Sequence, residues 1–208
     1  MYMKSNLKIK LQELIREEYA QLLKEESLTL GRKVVMTPDN SFSAYKQNIS
    51  NLPIEIGNFV NLRRLDLSYN KLITLPPEIG NLTKLKKVWI TDNKLKSLPK
   101  EIGNLINLEE LYVSRNEIQI IPKEIQKLKK LEFLHFTKNN IKVIPKELFE
   151  LEKLVNLYIS ENELTDIPNE IQKLKKLEVL YITGNNIPKN RLQEIKKLLP
   201  NVSIYADF

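Results

Sequence analysis

Residues 62–84 read LRRLDLSYNKLITLPPEIGNLTK, and this stretch decides the fold. The same pattern of leucines, asparagine and proline returns every 23 residues along most of the chain. Its asparagines stand at Asn70, Asn93, Asn116, Asn139, Asn162 and Asn185. A constant period of this length predicts a solenoid, in which one supersecondary unit stacks on copies of itself.

Each unit can be interpreted physically. In the unit that begins at residue 85, apolar residues alternate with residues suited to a surface: Leu85, Lys87, Val88, Trp89 and Ile90. This period of two predicts a short strand with one buried face. Asn93 offers two donors and one acceptor to the backbones of its own and adjoining units. Pro99 has no backbone donor and suits the first position of a return turn, which we expect to be 3₁₀-like or a single α-turn.

The units resemble leucine-rich repeats, in the 23-residue bacterial form that carries I/L-P-x-E-I after the asparagine. Full copies begin at Leu62, Leu85, Leu108, Leu131 and Leu154. A truncated copy starts at Leu177, and a degenerate first copy occupies about Asp39–Asn61. The resemblance implies an α/β solenoid, a curved right-handed coil with a parallel sheet on its concave face and short 3₁₀ or α turns on its convex face. For function it implies protein or ligand recognition on the concave sheet.

Three segments follow from this register: an N-terminal capping segment at 1–38, repeats at 39–188 and a C-terminal cap at 189–208. Residues 5–26 have the apolar stripe of an amphipathic helix, which we expect to cover the first repeat. The alternative is a helix offered to a second chain, so the oligomeric state stays open. In the C-terminal cap, Asn190 is expected to cap a helix over Arg191–Leu199. An edge strand follows, with Val202 and Ile204 facing the core and Asp207 blunting the edge.

Composition excludes most catalytic chemistry. The chain has no cysteine and a single histidine, His135, so thiolate sites and two-histidine metal sites are ruled out. We therefore predict no enzyme, no cofactor and no metal site. No apolar stretch approaches the roughly 18 residues of a membrane span. The charged start MYMKSNLKIKLQELIREE does not read as a secretory signal, which predicts a cytoplasmic protein by default and leaves export open.

The fifth position of each strand segment points out of the concave face. Reading it along the repeats gives Ser43, Asp66, Trp89, Tyr112, His135, Tyr158 and Tyr181. Five consecutive ring-bearing side chains thus share one outward row. Large exposed rings usually mark a contact site, although aromatic side chains also stack to support a sheet. The neutral-to-charged transition of a lone imidazole near pH 6.5 also makes pH-sensitive binding through His135 a hypothesis.

The neighbouring third position carries Arg64, Lys87, Glu110 and Phe133, so one edge of the sheet is expected to pass from basic to acidic. We predict partner-binding residues at Trp89, Tyr112, His135, Tyr158, Tyr181, Phe133, Arg64, Lys87, Glu110 and Tyr45. The expected partner is a protein or peptide on the concave face, oriented by these charges. The alternative is a carbohydrate stacked on the same rings. Despite a net charge of +7, a nucleic acid is disfavoured, because acidic residues interrupt the basic track.

Overall fold

The computed structural model describes residues 29–30, 34–37 and 39–207. Within these residues, ten strands follow one another in chain order across a single sheet. They are β1 (Thr29–Leu30), β2 (Val34–Thr37), β3 (Ser41–Ser43), β4 (Arg64–Asp66), β5 (Lys87–Trp89), β6 (Glu110–Tyr112), β7 (Phe133–His135), β8 (Asn156–Tyr158), β9 (Val179–Tyr181) and β10 (Ser203–Tyr205). The eight strands from β3 to β10 are parallel. The leucine-rich-repeat solenoid predicted from the period is confirmed.

The pairing register equals the sequence period. Lys87 lies opposite Glu110 and Trp89 opposite Tyr112, so from β3 to β9 each residue meets the one 23 positions further on; between β9 and β10 the offset is 24. The degenerate first unit obeys the same rule, because Phe42 of β3 lies opposite Leu65 of β4. A register held this constant places equivalent side chains in straight columns, with alternate residues on opposite faces of the sheet.

Short 3₁₀ helices return the chain along the convex side, as the sequence predicts. They span Ile54–Asn58, Pro77–Asn81, Lys100–Asn104, Lys123–Lys127, Lys146–Glu150 and Asn169–Lys173. The role predicted for Pro99 is wrong by one residue. Pro99 has extended backbone angles (φ −65°, ψ 149°) just before the helix, and its carbonyl accepts from the Ile102 N–H at 3.0 Å. Only Pro77 takes the first helical position among these turns.

The core lies between the sheet and the return helices. Each coil contributes a matching set of aliphatic side chains, and in the unit from residue 85 these are fully buried: Leu85, Val88, Ile90, Leu95, Ile102 and Leu105. The first coils pack especially closely, because a Cβ added at Gly103 would lie 2.5 Å from the Glu124 carbonyl oxygen. A glycine is therefore required where these return coils touch.

The asparagines form a buried column, which we call the asparagine ladder: Asn70, Asn93, Asn116, Asn139 and Asn162 are 7–9% exposed, and Asn185 is half-buried. Asn116 is typical. Its Oδ1 accepts from the Leu95 N–H of the preceding coil at 3.0 Å. Its Nδ2 donates to Ile90 of that coil at 2.9 Å and to Val113 of its own coil at 3.0 Å. The ladder thus satisfies the backbone groups of two coils at once, as predicted.

The residue before each ladder asparagine adopts a left-handed backbone, which sequence reasoning did not anticipate. The same conformation occurs before Gln47 at the equivalent point of the first unit, and φ lies between 51° and 66° at all seven residues: Lys46, Tyr69, Asp92, Arg115, Lys138, Glu161 and Gly184. Only the last is glycine. Side chains with a Cβ pay roughly 1–2 kcal/mol in this conformation. The asparagine bonds that follow hold the turn in place.

The two ends of the sheet are built differently. At the first end, β2 pairs antiparallel with β3, and β1 pairs antiparallel with β2. The helix predicted over 5–26 lies outside the described residues. At the other end, the helix α1 (Lys189–Leu198) leads to β10. The capping role predicted for Asn190 is wrong, because this residue lies inside α1 and Pro188 precedes the helix without a side-chain cap.

In the rest of the C-terminal cap, the core-facing side chains agree with expectation and the position of Asp207 does not, while the three segment boundaries stay predictions. Val202 and Ile204 pack against the core. Arg191 ties α1 to the preceding coil, since its Nε donates to Asp166 at 2.6 Å and its Nη2 to the Ile167 carbonyl at 2.6 Å. The Asp207 carboxylate accepts from the Gly184 N–H at 2.6 Å. That charge therefore points back at the preceding coil and does not guard the outer edge of β10.

Candidate functional site: the ring row on the concave sheet

The outward rings of successive strands stack into one column. We define the ring row as Trp89, Tyr112, His135, Tyr158, Tyr181 and Tyr205. Centroid separations are 6.2 Å between Trp89 and Tyr112 and 5.4 Å between Tyr112 and His135. They shorten to 4.0, 4.8 and 4.1 Å along the rest of the row. Adjacent ring planes lie within 27° of parallel throughout.

Tyr205 is a member of the row that sequence reasoning missed. It lies opposite Tyr181 in the parallel register, and the two rings are only 3° from parallel. The signal was present, because placing Ile204 toward the core turns Tyr205 to the concave face. The row therefore runs to the last strand and spans roughly 24 Å at one strand spacing per ring.

The stacking decides which part of each ring is open. All five rings from Trp89 to Tyr181 are half-buried, and Tyr205 is 47% exposed. Because the rings stack in one column, they turn their faces toward their neighbours in the row and their edges toward the concave side. Pairs of this geometry also contribute about 0.5–1.5 kcal/mol each beyond area burial. The rings are thus held rigidly while their edges remain available.

Hydrogen bonds fix several phenol groups. Burial, and after it the Glu110 carboxylate that bonds the hydroxyl, raises the pKa of Tyr112. Asn156 Nδ2 donates to the Tyr158 hydroxyl at 3.2 Å. Burial followed by the hydrogen bond with Tyr205 raises the pKa of Tyr181. Because their pKa values are raised, Tyr112 and Tyr181 keep neutral hydroxyls at neutral pH.

His135 is held neutral. Burial lowers its pKa to about 4, and its Nδ1 lies 2.9 Å from the Ser114 hydroxyl. An imidazole with this pKa gains no charge between pH 7.5 and 5.5. The hypothesis of pH-sensitive binding through His135 is therefore not supported, because desolvation has moved its titration below that window.

The charges beside the row largely pair with one another. Lys87 Nζ lies 2.5 Å from Glu110, and Lys86 Nζ lies 2.7 Å from Glu109. Arg64 Nη1 lies 2.8 Å from Asp39. These pairs weaken the predicted change from basic to acidic along this edge, because both signs are partly neutralised within the chain.

Two predicted site residues occupy different places. Phe133 lies in register between Glu110 and Asn156, half-buried beside the ring row. Tyr45 does not join the row, so the binding site proposed below leaves this predicted residue out. It pairs with Tyr69 at 5.1 Å between centroids, with planes tilted by 58°, and each of these two side chains is 46% exposed. This separate pair lies past the ends of β3 and β4.

One exposed apolar feature lies away from the concave face. Ile120 and Val143 are 70% and 69% exposed on neighbouring coils. They border a shallow cleft of about 470 Å³ on the flank that follows the asparagine ladder. Among the described residues, no group of acidic or histidine side chains could hold a metal ion. Nor does any described helix have the length and apolar content to cross a membrane.

The architecture and this surface define a repeat solenoid with one open aromatic face. A family profile described as a leucine-rich repeat region matches residues 42–119 and 111–200. The chain therefore belongs to the leucine-rich-repeat family, and it carries the bacterial form of the repeat. No curated protein matches it significantly.

The solved structures that resemble the chain include two bacterial proteins. A leucine-rich-repeat protein of Leptospira interrogans shares 40% identity with a TM-score of 0.74, and the match covers 77% of this chain and 41% of that one. An internalin of Listeria monocytogenes shares 22% identity with a TM-score of 0.66, covering 77% of this chain and 47% of that one. The second likeness concerns the fold alone. The chain spans less than half the length of either protein.

Proposed function

We propose that this protein is a non-catalytic binding module that holds a protein partner against the ring row on its concave sheet. The observation that carries the proposal is the column of six stacked rings on the face of the sheet opposite the hydrophobic core. Tyrosine and tryptophan are enriched among the residues that dominate protein interfaces. Their apolar bodies and polar tips suit a surface that is half apolar and half wet.

Stacking prepares the rings for binding. A side chain that is free in solution loses roughly 0.5–1.5 kcal/mol when an interface immobilises it. His135, Tyr158 and Tyr181 lie 4.0–4.8 Å apart within the row, so their neighbours already restrict them. Binding of a partner to their edges therefore costs little further side-chain conformational entropy. The row acts as a preformed surface.

The ring geometry favours a protein over a carbohydrate. A sugar ring stacks on the open face of an aromatic side chain, but the inner rings of the row cover one another's faces. The open outer face of Tyr205 lies at the end of the row, next to solvent. Ring edges and hydroxyls suit the peptide groups and apolar side chains of a protein segment.

Charge is expected to orient this partner through residues that the internal ion pairs leave available. Within the described part of the chain, Arg63 and Glu132 form no ion pair. Arg63 lies toward the early coils and Glu132 toward the middle. Acidic groups of the partner would accordingly face the early coils. Complementarity of this kind mainly governs register and association rate.

Affinity capture tests the proposal. The wild-type chain and a Trp89→Ala/Tyr112→Ala double variant are used as baits, and retained proteins are identified by mass spectrometry. We expect at least one partner to be lost from the variant, since each hot-spot ring contributes about 2 kcal/mol, or about 30-fold in affinity. A glycan array run in parallel reports the carbohydrate alternative.

The matched control is a Tyr45→Ala/Tyr69→Ala double variant, which removes two exposed rings outside the row. It should retain the partners of the wild type. Circular dichroism confirms that both double variants are folded. If the Trp89/Tyr112 variant folds and retains every partner of the wild type, the row only supports the sheet.

A further inference from the structure

In the part of the chain that the structure describes, the strand β10 pairs on one side only, with β9. The Ser203 N–H donates to the Glu178 carbonyl at 2.8 Å, and the Tyr205 carbonyl accepts from the Ile182 N–H at 2.9 Å. Ser203 and Tyr205 therefore direct their backbone groups toward β9. Because successive residues of a strand point their backbone groups to opposite sides, the Ile204 N–H and carbonyl point away from the sheet. In the described part of the chain, no strand follows β10 on that side.

The hydrophobic core is also incompletely covered at this edge. Leu134, Leu157 and Leu180, at the equivalent position of earlier strands, are fully buried. Their counterpart Ile204 is only partly buried. Val202 and Ala206, which flank it on the same face, are partly buried as well. Ile204, whose backbone groups point away from β9, therefore also carries an apolar side chain that the core covers only in part.

The opposite end of the sheet shows how such an edge is completed. There the outer side of β3 is paired by β2, which runs antiparallel to it. Parallel addition at β10 would need another coil, whereas antiparallel addition needs only an extended segment. A second copy of β10 can supply that segment.

We propose that two copies of this chain associate through their β10 strands, antiparallel, about a two-fold axis at Ile204. In this register Ile204 faces Ile204 of the second copy, and each donates to and accepts from the other. Val202 faces Ala206, so the partly buried apolar side chains of both copies meet. This inference does not depend on the proposed function.

The sequence of the edge is compatible with a second copy. Residues 202–206 read VSIYA and carry no charge, so the strand lacks the charged residues that usually prevent edge pairing. Asp207 faces the neutral Asn201 of the other copy, and its carboxylate is already bonded to Gly184. An isologous contact of this kind closes at two copies and does not propagate.

The dimer would join two concave faces into one. Directly opposed residues of an antiparallel pair have their side chains on the same face of the sheet. Both ring rows therefore lie on one side of a continuous sheet and meet at Tyr205. The contact is small, well below the roughly 1,200 Å² of a stable interface, so association should depend on concentration.

Disulfide trapping tests the register. Because the chain has no native cysteine, a single introduced cysteine can pair only with the same residue of a second copy. Ile204→Cys places two thiols on a directly opposed pair, with Cα atoms about 5.5 Å apart and within disulfide range. The matched control Ser203→Cys faces Tyr205 of the other copy, so its own twin lies on a diagonal about 7–8 Å away. Under mild oxidation, we expect the Ile204→Cys chain to form covalent dimer at least ~10-fold faster than the control.

Analytical ultracentrifugation of the unmodified chain provides a second measurement that needs no variant. We expect a shift from monomer toward dimer as concentration rises from about 10 µM to about 1 mM, typical of a small interface. Ile204→Lys should abolish this shift, whereas Ser203→Lys should retain it. A monomer throughout the range, or equal trapping of both cysteine variants, would overturn the proposal.

Discussion

The asparagine ladder and the ring row are two columns of side chains that arise from the same 23-residue period, yet their roles differ. Both place one side chain on each coil, and in the coil from residue 108 they are represented by Asn116 and Tyr112, only four residues apart. Asn116 is 8% exposed, and its bonds all go to backbone groups of the chain. Tyr112 is half-buried, with its edge open to the concave side.

The difference lies in what each column leaves unused. The amides of the ladder use their donors and acceptor within the solenoid, so nothing remains for a partner. The rings turn their faces toward one another and keep their edges, whereas the hydroxyls of Tyr112, Tyr158 and Tyr181 bond within the chain. Whether a repeated side chain supports the fold or forms a recognition surface therefore depends on how many of its contacts are made within the chain.

The largest effect is expected at the asparagine ladder. Asn116→Ala removes the acceptor of the buried Leu95 N–H and the donors to the Ile90 and Val113 carbonyls. Buried groups left unpaired cost about 1–3 kcal/mol each, so the free energy of unfolding should fall by about 3–5 kcal/mol. Urea unfolding followed by circular dichroism measures this loss.

The matched substitution on the same coil is Tyr112→Ala. It removes two ring contacts from an open face and leaves no buried backbone group unpaired. Its expected cost is about 1–2 kcal/mol, the value of one or two aromatic pairs. Equal destabilisation by the two variants would contradict the separation of roles between the columns.

A smaller effect is expected where the ring row contains a titrating group. The pKa of His135 is about 4 in the folded chain, against about 6.5 when unfolded. The unfolded state therefore binds more protons as the pH falls from 6.5 to 4, and stability is lost over that window. After allowance for solvent screening of a half-buried ring, this loss should be roughly 1–2 kcal/mol.

Comparison with His135→Phe isolates this contribution, because the phenyl ring keeps the stacking and cannot titrate. The free energy of unfolding of both proteins is measured at pH 7 and at pH 4.5. The wild type should lose more stability than the variant. Parallel losses would mean that the imidazole does not titrate differently in the two states.

Much of the fold follows from the sequence because the period acts on every coil at once. The strand positions, the core column through Val88 and the bonds of Asn93 all follow from one register. Local details do not. The left-handed backbone at Arg115 is imposed by the turn into the asparagine ladder, and no side-chain preference at that position reports it. The antiparallel pairing of β2 lies outside the repeat, so the period gives no information about it.

For the candidate site too, the positions of the side chains could be predicted from the sequence, but their interactions could not. The ring row follows from the register, and Tyr205 could have been added by the same rule. The internal pairing of Lys87 with Glu110 and the neutral state of His135 depend on distances and burial between neighbouring coils. A one-dimensional pattern shows which residues share a column, but it does not show how far they neutralise one another.

Oxidative footprinting of the chain, alone and with a captured partner bound, tests the role of the ring row most directly. Hydroxyl radicals oxidise exposed aromatic side chains, and mass spectrometry measures the rate at each one. We predict that binding slows oxidation of Trp89 and Tyr112 and leaves the Tyr45 and Tyr69 pair unchanged. Unchanged oxidation at the ring row, with protection elsewhere on the coil, would contradict the account.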